Sequence, residues 1–196
     1  MHDGTYPLHG TNLVGVPSGL IASAAFNAHP VRLAIGGVRE TNAALFRMLE
    51  DSTSRAEAME AFQNYMRTVF ALDGTALPQR RAVRRFRSSY LRLLQGWGFD
   101  ANGPEGAVLK GWVESRFGLP PVWHKEALER FPSPPWMTYL EEKMSSRFHN
   151  NSINLQLDLL YEYCQWMVRR FRDPMPPHVR LWRGVSRFEE HRLIEG

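Results

Sequence analysis

Apolar residues return every three or four positions along much of this chain, the spacing of a helix with one buried face. The pattern is clearest over residues 151–172, where Ile153, Leu157, Leu160, Cys164, Met167, Val168 and Phe171 form one stripe. Asn151 or Ser152 can cap its start, and Arg169, Arg170 and Arg172 suit the negative end of the helix dipole. Its apolar density predicts a central helix touching several neighbours, with Cys164 as buried filler. Two helices are expected over residues 39–72: one from Asn42 to Leu49, and one from Arg55 that Asp73-Gly74 would end. Asp51-Ser52-Thr53-Ser54 supplies the break and the cap between them. Residues 104–118 start at Pro104, end at Gly118 and carry Val108, Leu109, Trp112, Val113 and Phe117 as a stripe. A short helix is expected from Lys125 to Arg130, and another from Trp136 to about Phe148 with Leu140 and Met144 inward.

Three stretches depart from this pattern. Residues 1–38 are broken by Pro7, Gly10, Gly15, Pro17, Gly19, Pro30, Gly36 and Gly37, yet contain Leu13, Val14, Leu20, Ile21, Phe26 and Val31 to Ile35. Such a segment is too apolar for a free tail and is expected to pack across the body. Residues 79–97 place Arg80, Arg81, Arg84, Arg85, Arg87 and Arg92 among Val83, Phe86, Tyr90, Leu93, Leu94 and Trp97. That reads as a helix with a buried face and a basic face. A solvated surface, a dock for an acidic protein and a nucleic-acid contact remain open for the basic face. Finally, Pro174-Met175-Pro176-Pro177 stops the central helix, and Val179, Leu181 and Arg183 then alternate with Arg180, Trp182 and Gly184. A period of two is that of a strand. The expected fold is therefore mainly α: a helical body over residues 1–175, leading into the first strand of an α+β core over residues 176–196.

Composition narrows the class. The 196 residues are 43% hydrophobic, which suits one packed domain. No apolar run is long enough to span a bilayer, and the N-terminus lacks the basic start and apolar block of a secretion signal. The single cysteine cannot form an internal disulfide, so a cytoplasmic location is expected. A formal charge of +4 favours anionic partners only weakly, and no nucleic-acid motif accompanies the arginines, so nucleic acid is not an expected partner. The seven histidines show no zinc-like spacing, so no metal is expected.

The candidate chemistry lies at Arg183 and Gly184. A guanidinium on a strand can grip a phosphate through two parallel hydrogen bonds, and glycine brings bare backbone close to a ligand. The residues alone favour the plainer reading, an arginine paired with a surface carboxylate, because a hydrophobic-Arg-Gly triplet is common.

Leu181-Trp182-Arg183-Gly184 resembles the first motif of the arginine-specific ADP-ribosyltransferases. Asn12 to Leu20, Asn154 to Glu162, and Arg183-Gly184 with Ser186-Arg187-Phe188 together resemble the dinitrogenase reductase ADP-ribosyltransferase family, in order and over nearly the whole chain. The resemblance implies a glycosyltransferase that moves ADP-ribose from NAD to an arginine of dinitrogenase reductase and so switches off nitrogenase. It implies NAD as substrate, held by Arg183 with Gly184, and a P-II-type signalling protein as regulator. The superfamily's later Ser-Thr-Ser strand and Glu-x-Glu loop have no counterpart here, since Glu189 and Glu190 are adjacent and Glu195 is solitary. No catalytic residue is assigned. The expectation is a chain that carries the front of the enzyme, inactive alone. The alternative is a non-catalytic helical module that docks an acidic protein.

Overall fold

The computed structural model describes residues 12–72 and 87–171. Three short helices cross the N-terminal segment: α1 (Ser18–Ile21), α2 (Ala24–Ala28) and α3 (Val38–Thr41). They are followed by α4 (Ala43–Asp51), α5 (Arg55–Phe70), α6 (Tyr90–Phe99) and α7 (Pro104–Phe117). A small antiparallel hairpin, β1 (Trp123–His124) and β2 (Glu126–Ala127), precedes α8 (Pro134–Lys143) and the long α9 (Ile153–Phe171).

Local signals explain most boundaries. Ser54 accepts the Glu57 N–H at 3.2 Å, and the Glu57 carboxylate accepts the Thr53 N–H at 2.8 Å, so α5 starts where the Ser-Thr-Ser break predicts. Pro104 opens α7, and Gly118 closes it in the left-handed region at φ 67°. Three expectations are corrected. Helix α5 ends before Asp73-Gly74, because Ala71 turns left-handed at φ 47° and its N–H caps the Arg67 carbonyl. Of the helix expected over residues 79–97, residues 79–86 lie outside the described residues, and within the rest α6 begins at Tyr90: residues 87–89 are non-helical, and Ser89 accepts the Leu91 N–H as the cap. Between Lys125 and Arg130 the chain forms the hairpin turn rather than a helix, with Trp123 opposite Ala127 and His124 opposite Glu126.

The core gathers around α9. Leu45, Phe46 and Leu49 of α4, Ala58, Phe62 and Met66 of α5, and Tyr90 and Leu93 of α6 pack with Ile153, Leu157, Leu159, Tyr163 and Trp166. Phe62 and Tyr163 stack with ring centroids 3.9 Å apart and planes within 10°. A smaller cluster of Ala107, Leu128 and Tyr139 joins α7, β2's continuation and α8. Buried residues run right round α9 between Gln156 and Tyr163, and that enclosure opens beyond. Cys164 is therefore exposed, not core filler, and Val168 is exposed with it. Met144, expected inward, is also exposed, because α8 stops at Lys143 and turns the fully buried Tyr139 inward instead.

Asn151 does a different job from the capping expected of it. It sits left-handed at φ 55°, and its amide donates to the Phe70 carbonyl at 2.9 Å and the Ser88 carbonyl at 3.2 Å.

From residue 12 on, the N-terminal segment packs across the body as its apolar content predicts. Leu13 N–H donates to the Arg116 carbonyl at 3.0 Å, and Ser18 Oγ donates to the Phe117 carbonyl at 2.9 Å. Gly118 makes this approach possible, because a Cβ there would stand 2.1 Å from Ser18 Oγ. At its far end the segment meets α9 through Tyr161 and Glu162.

Candidate functional site

The strand expected at Arg183-Gly184, Ser186 to Phe188 and the boundary at residue 175 lie outside the described residues, as do Arg80, Arg81, Arg84 and Arg85. Of the basic face, Arg87 precedes α6 and Arg92 lies on it, both exposed. The other segments tied to the resemblance, Asn12 to Leu20 and Asn154 to Glu162, meet the same part of the body. Asn12 Nδ2 reaches the Phe117 carbonyl at 3.2 Å at the end of α7. Asp158 of α9 holds that same end of α7 through Arg116.

Asp158 and Glu162 are one helical turn apart and share a face of α9. Both are buried. Asp158 Oδ1 accepts from Trp112 Nε1 at 2.7 Å and from Arg116 Nε at 2.7 Å, while Oδ2 accepts from Arg116 Nη2 at 2.9 Å. This is a forked guanidinium–carboxylate pair, the strongest form of that contact. Glu162 Oε1 accepts the backbone N–H of Ile35 at 2.8 Å, and Oε2 accepts from Arg39 Nε at 2.7 Å. Arg39 Nη2 reaches back to the Glu162 carbonyl at 3.4 Å. Tyr161 completes the junction by donating to the Leu33 carbonyl at 2.9 Å. Burial raises the Tyr161 hydroxyl pKa, and the nearby Glu162 charge raises it further.

A third guanidinium stands by. Arg32 Nη2 lies 3.6 Å from Glu162 Oε2, an ion pair beyond hydrogen-bond length. Burial, and then the like charges of Arg39 and Arg169, hold the Arg32 pKa below its ordinary value. Arg39 also stacks 4.8 Å from the Phe46 ring centroid, on the wall of a shallow groove shared with Arg47, Glu50 and Asp51. Both oxygens of Asp158 and of Glu162 are thus occupied by partners from the protein itself. They are equipped to position the N-terminal segment and α7 against α9, not to act as a base on a ligand.

A second polar cluster joins the hairpin to α7 and α8. His124 is fully buried, with Nε2 2.7 Å from Glu142 Oε2 and Nδ1 3.3 Å from Lys110 Nζ. An ammonium can only donate, so Nδ1 accepts and Nε2–H donates to Glu142, which makes the ring neutral. Lys110 also donates to the Trp123 carbonyl at 2.9 Å and to Asn102 Oδ1 at 3.1 Å. Lys125 pairs with the other Glu142 oxygen. Burial lowers the His124 pKa, against the opposing pull of Glu142. For Glu142, burial acts upward, but the bonds from Lys125 and His124 outweigh it and leave its pKa lowered.

Sequence reasoning missed both clusters. In α9 the signal was present: two acidic residues four apart inside an apolar helix, with aromatics between them. Their partners, Ile35, Arg39 and Arg116, lie 42 to 127 residues away, and nothing local announces them.

The comparisons with known proteins accord with the ordered likeness of the three segments. A model of the family described as dinitrogenase reductase ADP-ribosyltransferase (DRAT) matches residues 11–196. A protein of Rhodospirillum rubrum named NAD(+)--dinitrogen-reductase ADP-D-ribosyltransferase is 55% identical over 191 residues, which cover 95% of this chain and 69% of that protein. No solved structure matches. Among the described residues, no helix is long and apolar enough to cross a membrane. A family match over residues 11–196, which takes in the N-terminal segment, α9 and Arg183, leaves one assignment: this chain belongs to the dinitrogenase reductase ADP-ribosyltransferase family.

Proposed function

We propose that this protein transfers ADP-ribose from NAD to dinitrogenase reductase, on an arginine, and so switches nitrogenase off. The observation that carries the reading is the 55% identity to the Rhodospirillum rubrum transferase across 95% of this chain. The bond that breaks joins nicotinamide to the ribose, and positive charge develops on the sugar as it does so, as in glycoside hydrolysis. The site must therefore hold the NAD diphosphate, place a carboxylate by the ribose and hold the acceptor guanidinium in line. Arg183 is the residue proposed to hold NAD, with Gly184 giving the backbone room to approach. Asp158 and Glu162 are engaged on both oxygens, which favours a different carboxylate for the ribose.

Two further parts of the reading follow the family. The enzyme works in the cytoplasm, where its protein substrate is made and used, and a P-II-type signalling protein regulates it. The arginines of residues 80–92 are the proposed contact for an acidic protein surface.

The test is transfer itself. The protein, NAD labelled in its adenylate half and dinitrogenase reductase are incubated together. Residues 1–196 alone, with no counterpart of the Glu-x-Glu loop, are expected to leave the reductase unlabelled. The same chain extended with the remaining part of the Rhodospirillum rubrum enzyme is expected to label it, with a mass increase of one ADP-ribosyl group, and absence of label there would overturn the reading. Calorimetry with Arg183→Ala tests the residue: NAD binding is lost if Arg183 holds the dinucleotide and is retained if it does not.

A further inference from the structure

The hairpin β1–β2 is fastened to the body by side chains more than by its own ladder. Each strand is two residues long, and Lys125 between them sits in the left-handed region at φ 60°, uncommon for a residue with a side chain. Lys110 of α7 donates to the Trp123 carbonyl at 2.9 Å, and Lys125 pairs with Glu142 of α8. The His124 ring lies between those same two helices, fully buried, with both nitrogens taken. Nε2–H donates to Glu142 at 2.7 Å, and Nδ1 accepts from the Lys110 ammonium at 3.3 Å. A second proton can enter only at Nδ1, where it meets another donor. The remaining charged and titratable groups at the junction do not relieve that clash. Asp100 draws on Lys110 from the α6–α7 loop, and Glu142 already shares its charge with Lys125. Glu114 of α7 accepts from Tyr139 at 2.9 Å and from Lys143 at 2.6 Å, both on α8. The Tyr139 ring stands against the imidazole with centroids 5.6 Å apart, and Glu126, opposite His124 in the hairpin, is exposed. Burial, with Lys110 and Lys125, outweighs the attraction of Glu142, so the closed ring resists the proton.

We propose that the hairpin is a proton-operated latch: one proton taken up at His124 Nδ1 sets an imidazolium against Lys110 and lifts residues 122–128 off the α7–α8 interface while the core around α9 stays folded. Lys110 is the point of failure, because it holds the ring and the Trp123 carbonyl together, so one displacement loosens side chain and backbone at once. The apolar contact under the hairpin is the small cluster of Ala107, Leu128 and Tyr139, separate from the core around α9, which lets this part open as a unit. Once lifted, the ring is in water and titrates near its ordinary 6.5. The latch is therefore closed above about pH 6.5 and opens as pH falls through the lower pKa of the closed ring. Opening uncovers Leu128 and Tyr139, which the closed hairpin buries. No part of this device depends on the transferase reading.

Amide hydrogen exchange on the whole chain tests the latch, read as protection factors so that the intrinsic pH dependence of exchange drops out. The reporter is the Leu128 amide, which donates to the Val122 carbonyl at 2.9 Å, and the amides of α9 are the reference. Between pH 7 and 5 the Leu128 protection falls about 5- to 25-fold, the range for a ring that titrates near 6.5 when open and lower when closed. Protection in α9 changes less. His124→Gln, which does not titrate, removes the pH dependence at Leu128. Lys110→Met gives a second reading should that variant fail to fold. It lowers Leu128 protection at pH 7, because the tie to Trp123 is lost, but shrinks its further fall at pH 5, because the imidazolium no longer faces an ammonium. A Leu128 protection that is constant with pH overturns the latch, and so does one that falls in step with α9. An undiminished pH dependence in His124→Gln or in Lys110→Met overturns it as well.

Discussion

Glu162 and Ile35 meet at 2.8 Å across 127 residues of chain, carboxylate oxygen to backbone amide. A charged acceptor on a buried N–H is among the stronger hydrogen bonds a protein makes, and here it ties the entry of the chain to its central helix.

Removing that carboxylate should therefore be costly. Glu162→Leu leaves Arg39 and the Ile35 N–H without their acceptor, and a loss of about 3–5 kcal/mol is expected. Glu162→Gln keeps one oxygen for Ile35 and should lose less. Urea unfolding measures both, and a Leu variant within about 1 kcal/mol of wild type would refute the role assigned to Glu162.

Asp158 and Arg116 should couple strongly, since the pair is forked and both side chains are at most 13% exposed. A double-mutant cycle with Asp158→Asn and Arg116→Met is expected to give a coupling of about 2–3 kcal/mol. Additive effects would mean that Trp112, which also bonds Asp158, carries the contact instead.

Gly118→Ala should release the N-terminal segment. The substitution forces a left-handed backbone onto alanine and sets its Cβ against Ser18 Oγ. A cost of at least about 1 kcal/mol is expected. Hydrogen exchange should quicken at the Leu13 amide, which donates to Arg116 beside it. Unaltered exchange there would show that the anchor does not depend on Gly118.

Stability should fall on mild acidification because of His124. Burial holds its pKa below the ordinary 6.5, so the unfolded chain takes up a proton that the folded ring refuses. Stability from this group is complete above about pH 6.5 and is lost as pH falls through the lowered folded pKa. Protonation would also set an imidazolium against Lys110. His124→Gln should flatten the dependence of melting temperature on pH between about 7 and 5. A variant that keeps the wild-type slope would place the sensitivity elsewhere.

The helices were legible because their apolar spacing and their punctuation agree. Pro104 and Gly118 bound α7, and Ser54 starts α5, as local chemistry alone dictates. The errors have local causes too. Ala71 ended α5 by adopting a conformation that alanine seldom takes, so Asp73-Gly74 was the better signal and the wrong one. Trp123 to Ala127 is too short for either period to show, and it became a hairpin because His124 and Leu128 are drawn into the α7–α8 interface. Cys164 fitted the stripe of α9, but the stripe describes a helix covered on one side, whereas neighbours surround α9 in its first half and leave it later. The polar junction at Asp158 and Glu162 was illegible for a different reason. Its specificity resides in pairs distant in sequence, and periodicity sees only neighbours.

Asn151 has a consequence for how this protein can vary. One side-chain amide grips the carbonyls of Phe70 and Ser88, the two places where the described chain leaves and re-enters the body around residues 73–86. One side chain thus serves the end of α5 and the approach to α6 together, so a substitution here is felt in two places at once. Aspartate has the same size but no donor to offer, and it would set a negative charge against two carbonyl oxygens. The position is a single point through which sequence change in either helix end is checked by the other.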